Sequence, residues 1–141
     1  MSDNPAPINA KKYKNLRKIR LNLLLEERRM FGNLNSVVIF QILSIEYWSR
    51  QIENAEKQGL IVPDVSERNP AYTHEIGLSA QSITDISQMP RTTVLRSLER
   101  LEKLGFVLKT DVGYYINEVK TRTDCKHLYT SWYASTLNLM K

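Results

Sequence analysis

One cysteine, Cys125, stands in a chain of 141 residues. A single thiol cannot close an internal disulfide, so a disulfide-stapled scaffold is excluded and a buried structural cysteine is expected. The two histidines, His74 and His127, lie far apart in sequence, which makes a zinc site a poor fit. Glycine and proline number five each, too few for a fibrous or low-complexity chain, and no internal repeat marks a solenoid. No apolar run approaches the roughly 18 to 20 residues that span a bilayer. The opening segment MSDNPAPINAKKYKN has no apolar core of a secretory signal, so a cytoplasmic protein is expected. Also missing are a carboxylate pair, a nucleophile beside a histidine and a glycine loop that would cradle phosphate. No catalytic residue, metal or cofactor is therefore expected, and the chain does not read as an enzyme.

What is present is enough apolar sequence, 42% of residues, to bury one core, so 1–141 reads as a single domain with helical extensions. Its net charge of +5 is unevenly spread. Lys11, Lys12, Lys14, Arg17, Lys18 and Arg20 have no acid among them. Acids dominate from Glu46 to Glu75, and Arg91, Arg96, Arg100, Lys103 and Lys109 outnumber Glu99 and Glu102 further on. Such segregation suits a protein that meets a polyanion on one side.

Apolar spacings of three and four at Tyr13, Leu16, Ile19 and Leu23, widened by Leu24 and Leu25, predict an amphipathic helix from about Asn9 to Met30, stopped near Gly32. A second helix, capped by Asn33 or Asn35, should run to about Lys57; its first half is apolar almost all round, which marks a central pillar. From Gly59 to Gly77 no helical period survives, and a long loop carrying Tyr72 and His74 is expected.

The stretch ITDISQMPRTTVLRSLERLEKLGFV, Ile83 to Val107, is the most informative. Ser79 or Ser82 can cap a short helix through Ser87, Pro90 suits the first turn of the next helix, and Gly105 ends that helix after Leu104. Helix, short turn, helix is the helix-turn-helix arrangement. At about 100° per residue, Val94, Leu98 and Leu101 share one side of the second helix, while Thr92, Arg96 and Lys103 point away, with Thr93, Glu99 and Arg100 on the flanks. Two guanidinium forks and two hydroxyls at its start, Arg91, Thr92, Thr93 and Arg96, are residue types that read base edges and hold phosphates.

After Gly105 the period changes. FVLKT and YYIN flank DVG, giving a β-hairpin directly behind the second helix. With Ile83, Met89, Thr93, Val94, Arg96, Leu98, Leu101, Gly105 and Val107 in place, the segment resembles the winged helix-turn-helix of bacterial MarR and IclR regulators. It departs from them at Gln88, where a turn glycine is usual, at Thr84, where a small residue is usual, and at the hairpin tip, which has Asp111 and no arginine. The residues after Val107 are too few for the separate effector domain of the IclR type, so none is expected. The resemblance leaves room for a small-molecule effector, whereas Tyr47, Trp48, Tyr129, Trp132 and Tyr133 read as core or interface.

The last helix is expected from residue 123 or 124 to Met140, with Leu128, Trp132 and Leu139 on one side and Tyr129, Tyr133, Leu137 and Met140 on an adjacent one. Two apolar sides here and an apolar helix in residues 1–30 exceed what one small domain covers, so a homodimer is expected.

The fold expected is mainly α with a small β-hairpin wing: a winged helix-turn-helix in 79–117 between a dimerisation helix in 1–30 and a C-terminal helix in 123–141. The function expected is sequence-specific binding of double-stranded DNA by a transcriptional regulator, through Arg91, Thr92, Thr93, Arg96, Arg100, Lys103 and, on the hairpin, Lys109. The alternatives are a plasmid or phage replication-control protein and a winged-helix protein-association module.

Overall fold

The computed structural model describes residues 7–62 and 77–141. Asn9 opens the first helix, α1 (Ala10–Phe31), by accepting the Lys11 N–H at 2.8 Å, and Gly32 closes it at φ 99°. Asn33, rather than Asn35, caps α2 (Leu34–Lys57), its side chain accepting the Ser36 N–H at 2.8 Å. The expected loop after it lies largely in 63–76, so Tyr72 and His74 fall outside the described residues.

α2 stands centrally, as expected, but it buries one broad side only, with Val37, Ile39, Phe40, Leu43, Tyr47 and Ala55, and leaves Val38 and Ile45 of its apolar half exposed. It touches α1, the short α3 (Ala80–Ser87), α4 (Arg91–Lys103) and the second hairpin strand. The hairpin pairs β1 (Val107–Lys109) antiparallel with β2 (Tyr114–Ile116), Val107 opposite Ile116 and Lys109 opposite Tyr114. Leu78 adds a third, single-residue rung, exchanging backbone bonds with Tyr114 at 2.9 and 2.8 Å. That rung explains Gly113: a Cβ there would stand 2.6 Å from the Leu78 carbonyl oxygen.

One boundary needs correction. The last helix, α5 (Glu118–Met140), starts well before residue 123, because Asn117 caps it as soon as β2 ends and Glu118 sits in the first turn where a carboxylate favours the helix dipole. Val119 is the one apolar residue between Glu118 and Thr123, so the first turns carry no apolar period; Glu118–Arg122 and Lys120–Asp124 ion pairs line them instead.

The core gathers around the chain's three phenylalanines. Phe31 stacks on Phe40 at 4.3 Å, and Phe106 meets both edge-on at 4.9 and 6.2 Å. Ile83, Val94, Leu98, Leu101, Val107, Ile116 and Cys125 complete it. Burial, with help from the nearby Asp124 and Glu27 charges, pushes the Cys125 thiol up to about 12, which makes it the inert structural cysteine expected. Tyr47 is buried, Trp48 half-buried against it at 5.1 Å, and Tyr129 half-buried, whereas Trp132 and Tyr133 are exposed. No helix among the described residues is long and apolar enough to cross a membrane.

α1 and α5 pack on each other, and Glu27 joins them to α2. This carboxylate is 4% exposed and accepts hydrogen bonds from Gln41 Nε2 on α2 and, at 2.9 Å, from the Tyr129 hydroxyl on α5. No cation pairs with it among the described residues. Burial raises its pKa above the ordinary 4.5, against the pull of the Tyr129 and Gln41 bonds. A carboxyl raised on folding favours stability below its unfolded pKa and loses that contribution as pH rises through the folded value. Glu27→Gln keeps an acceptor without the charge, so the variant should gain stability relative to the parent as pH rises from about 4.5 toward neutrality. Glu27→Ala leaves the Tyr129 and Gln41 donors without their acceptor and should cost about 1 to 3 kcal/mol at every pH. Denaturant midpoints across that pH range check both, and a Glu27→Gln difference independent of pH would contradict the account.

Candidate nucleic-acid interface

Three residues, Gln88 to Pro90, set the angle between α3 and α4. Ser79 caps α3 by accepting the Ser82 N–H at 3.0 Å. At the other end Gln88 takes the left-handed conformation, φ 59° and ψ 22°, its N–H bonded to Thr84 O at 2.9 Å. Glutamine thus performs the turn expected of a glycine, and its side-chain amide donates to Asp85 O at 2.6 Å, which offsets part of the cost. Pro90 is the cap residue of α4 and not its first helical residue, since its ψ of 143° is still extended. It supplies no side-chain cap bond, so the N–H groups of Arg91, Thr92 and Thr93 stay open at the start of α4.

The two faces of α4 divide as the periodicity predicts. Val94, Ser97, Leu98 and Leu101 are buried. Arg91, Thr92, Arg96, Arg100 and Lys103 are exposed, and Thr93 is half-buried. Their electrostatic situations differ. The Arg91 guanidinium donates to Gln81 Oε1 on α3 at 3.0 Å, which ties the start of α4 to its neighbour. Lys103 is paired with Glu99 at 3.2 Å. Arg96 and Arg100 have no ion pair among the described residues. Lys109 stands apart on β1, its ammonium 5.7 Å from the centre of the Tyr114 ring.

Of the seven expected residues, the structure brings Thr93, Arg96 and Arg100 together on one polar cleft of about 240 Å³. Arg91 and Thr92 precede it, Lys103 follows it on α4, and Lys109 belongs to the hairpin. The other walls are Asn33, Asn35 and Ser97, none of which was expected to take part. The signal was present: Thr93, Arg96, Ser97 and Arg100 follow the 0, 3, 4, 7 spacing of one helix face. That stripe meets the α1–α2 turn at Gly32, where a Cβ would lie 2.6 Å from Arg100 Nη1 and 2.8 Å from its Cδ. Glycine at φ 99° therefore both turns the chain and lets the arginine stem lie against the backbone.

Chemically the surface offers guanidinium forks, hydroxyls, carboxamides and open backbone N–H groups, all suited to anionic oxygens and base edges. Among the described residues no group of histidine, cysteine and carboxylates could hold a metal ion. Comparisons with family models, with curated proteins and with solved structures gave no match.

The turn makes a prediction about stability. A left-handed non-glycine residue costs about 1 to 2 kcal/mol, and a β-branched one more. Stability by chemical denaturation should therefore follow the order Gln88→Gly, parent, Gln88→Val, with the valine variant at least about 1 kcal/mol below the parent. A valine variant as stable as the parent would contradict a left-handed Gln88.

Proposed function

We propose that the chain is a winged helix-turn-helix protein that binds duplex DNA in a sequence-specific manner and regulates transcription. The observation that carries the reading is the division of α4: a leucine face sealed into the core and an exposed side bearing Arg96 and, on its flank, Arg100, neither in an ion pair among the described residues. A cation left unpaired on a rigid helix keeps its full attraction for phosphates and its donors for base edges. The order α2, α3, α4, hairpin, with Leu78 bridged to β2, supports the winged reading and its MarR- or IclR-like character.

In this reading the start of α4 enters the major groove, where Thr92 and Arg96 face base edges. Arg91 is held by Gln81 and touches the backbone beside it, Arg100 and Lys103 lie along the backbone further on, and Lys109 reaches phosphate or sugar from the hairpin. Exposed Asp111 at the hairpin tip repels phosphate, so the wing adds little to base reading.

The protein acts as a homodimer through α1 and α5. These helices expose Leu21 (53%), Tyr133 (59%), Leu137 (44%) and Met140 (74%), along with Leu24 and Leu25, apolar side chains that a second copy can cover. A two-fold pairing of these helices presents two copies of α4 to two half-sites.

Two measurements test these readings. Arg96→Ala should lose about 1 to 3 kcal/mol on the preferred site and relax base preference there. Lys109→Ala should weaken all sequences alike and flatten the salt dependence by about one unit. Equal binding of every duplex by Arg96→Ala and the parent would remove α4 as a recognition helix and favour the protein-association reading. In sedimentation equilibrium the parent should be a dimer at micromolar concentration, and the double variant Leu21→Lys, Leu25→Lys a folded monomer; a monomeric parent would contradict the assembly.

A further inference from the structure

We propose that the cleft between the α1–α2 turn and α4 binds one phosphate of the DNA backbone, a role that rests on the DNA-binding reading above. The six residues lining it, Asn33, Asn35, Thr93, Arg96, Ser97 and Arg100, include two guanidiniums and no acid. No aromatic or apolar wall is present on which a base would stack, so an oxyanion is the fitting occupant.

Three further features point the same way. Ser97 is 3% exposed, lines the cleft and makes no hydrogen bond through its hydroxyl among the described residues. The hydroxyl is not sealed from the cleft, so it can donate to an acceptor placed there. Asn33 spends its side-chain oxygen on the Ser36 N–H, which leaves its amide NH₂ without a partner among the described residues. The N–H groups of Leu34 and Asn35, in the first turn of α2, likewise have no intrahelical acceptor. Donors from two helices thus converge on a place where the α2 dipole and Arg100 both favour negative charge. Arg96 borders the cleft and the outward crest of α4, so a phosphate seated here fixes how far that crest enters the groove. This makes Asn35 and Ser97 DNA contacts and assigns Arg100 to phosphate and not to a base.

Asn35→Asp separates binding from folding. An aspartate at the second position of α2 suits the helix dipole, so the variant should unfold at the same or a higher denaturant concentration than the parent, while its carboxylate repels a phosphate. Anisotropy titrations of the full-length chain with random-sequence and preferred duplexes should show about tenfold weaker binding to both, for Asn35→Asp and for Arg100→Gln, with the salt dependence flattened by about one unit. If the parent binds DNA and both variants bind with the same affinity and salt slope, the phosphate site is overturned while the DNA reading stands. If the parent binds no duplex at low salt, the DNA reading itself fails and the backbone assignment falls with it. Inorganic phosphate, followed by amide shifts of Asn35 and Ser97, then tells whether the cleft serves a free phosphate instead.

Discussion

The packing of Phe31, Phe40 and Phe106 is the constraint on which the rest of this structure depends. Phe31 is the last residue of α1, Phe40 lies in the second turn of the pillar, and Phe106 follows the glycine that ends α4. Burying three such rings is worth about 1.5 to 3 kcal/mol each, but their position matters more than their sum. Phe31 fixes the chain one residue before Gly32, and Phe106 fixes it one residue before β1. The α1–α2 turn, the end of α4 and the root of the hairpin are thereby anchored to one point.

Function in this account grows from that anchoring. With both ends of the turn held, Gly32 and Arg100 come into contact and Asn33 and Asn35 face the polar side of α4. The leucine side of α4 has no freedom to rotate out, so the cationic side has none to rotate in. The Glu27 bonds to Gln41 and Tyr129 do for α5 what the rings do for α4, tying the long terminal helices to the pillar at one end and leaving their far halves exposed.

The sequence made much of this legible. Apolar spacing placed α1, α2 and α4 to within a residue or so, helped at α2 by an asparagine cap and at α4 by Pro90 and Gly105, since those signals are local. The hairpin followed from two β-prone runs about a glycine. The start of α5 was missed because Glu118–Thr123 is held by ion pairs and a cap, not by an apolar face. Pro90 was misplaced by one residue because its φ suits the cap and the first helical position alike. The cleft was half legible: Thr93, Arg96 and Arg100 announce themselves by charge and by periodicity, but Asn33, Asn35 and Ser97 join them only through the long-range packing at Gly32. Glu27 gave no local signal at all, because its partners lie on two other helices.

The central claim is that the cationic side of α4 meets duplex DNA. Amide chemical-shift mapping of the full-length chain as a duplex is added, at low and then at high salt, tests it most directly. The account predicts shifts concentrated from Arg91 to Arg100 and at Asn35, with lesser ones at Lys109, all reversed by salt as counterions compete. Shifts confined to the exposed halves of α1 and α5, or none at low salt, would contradict it.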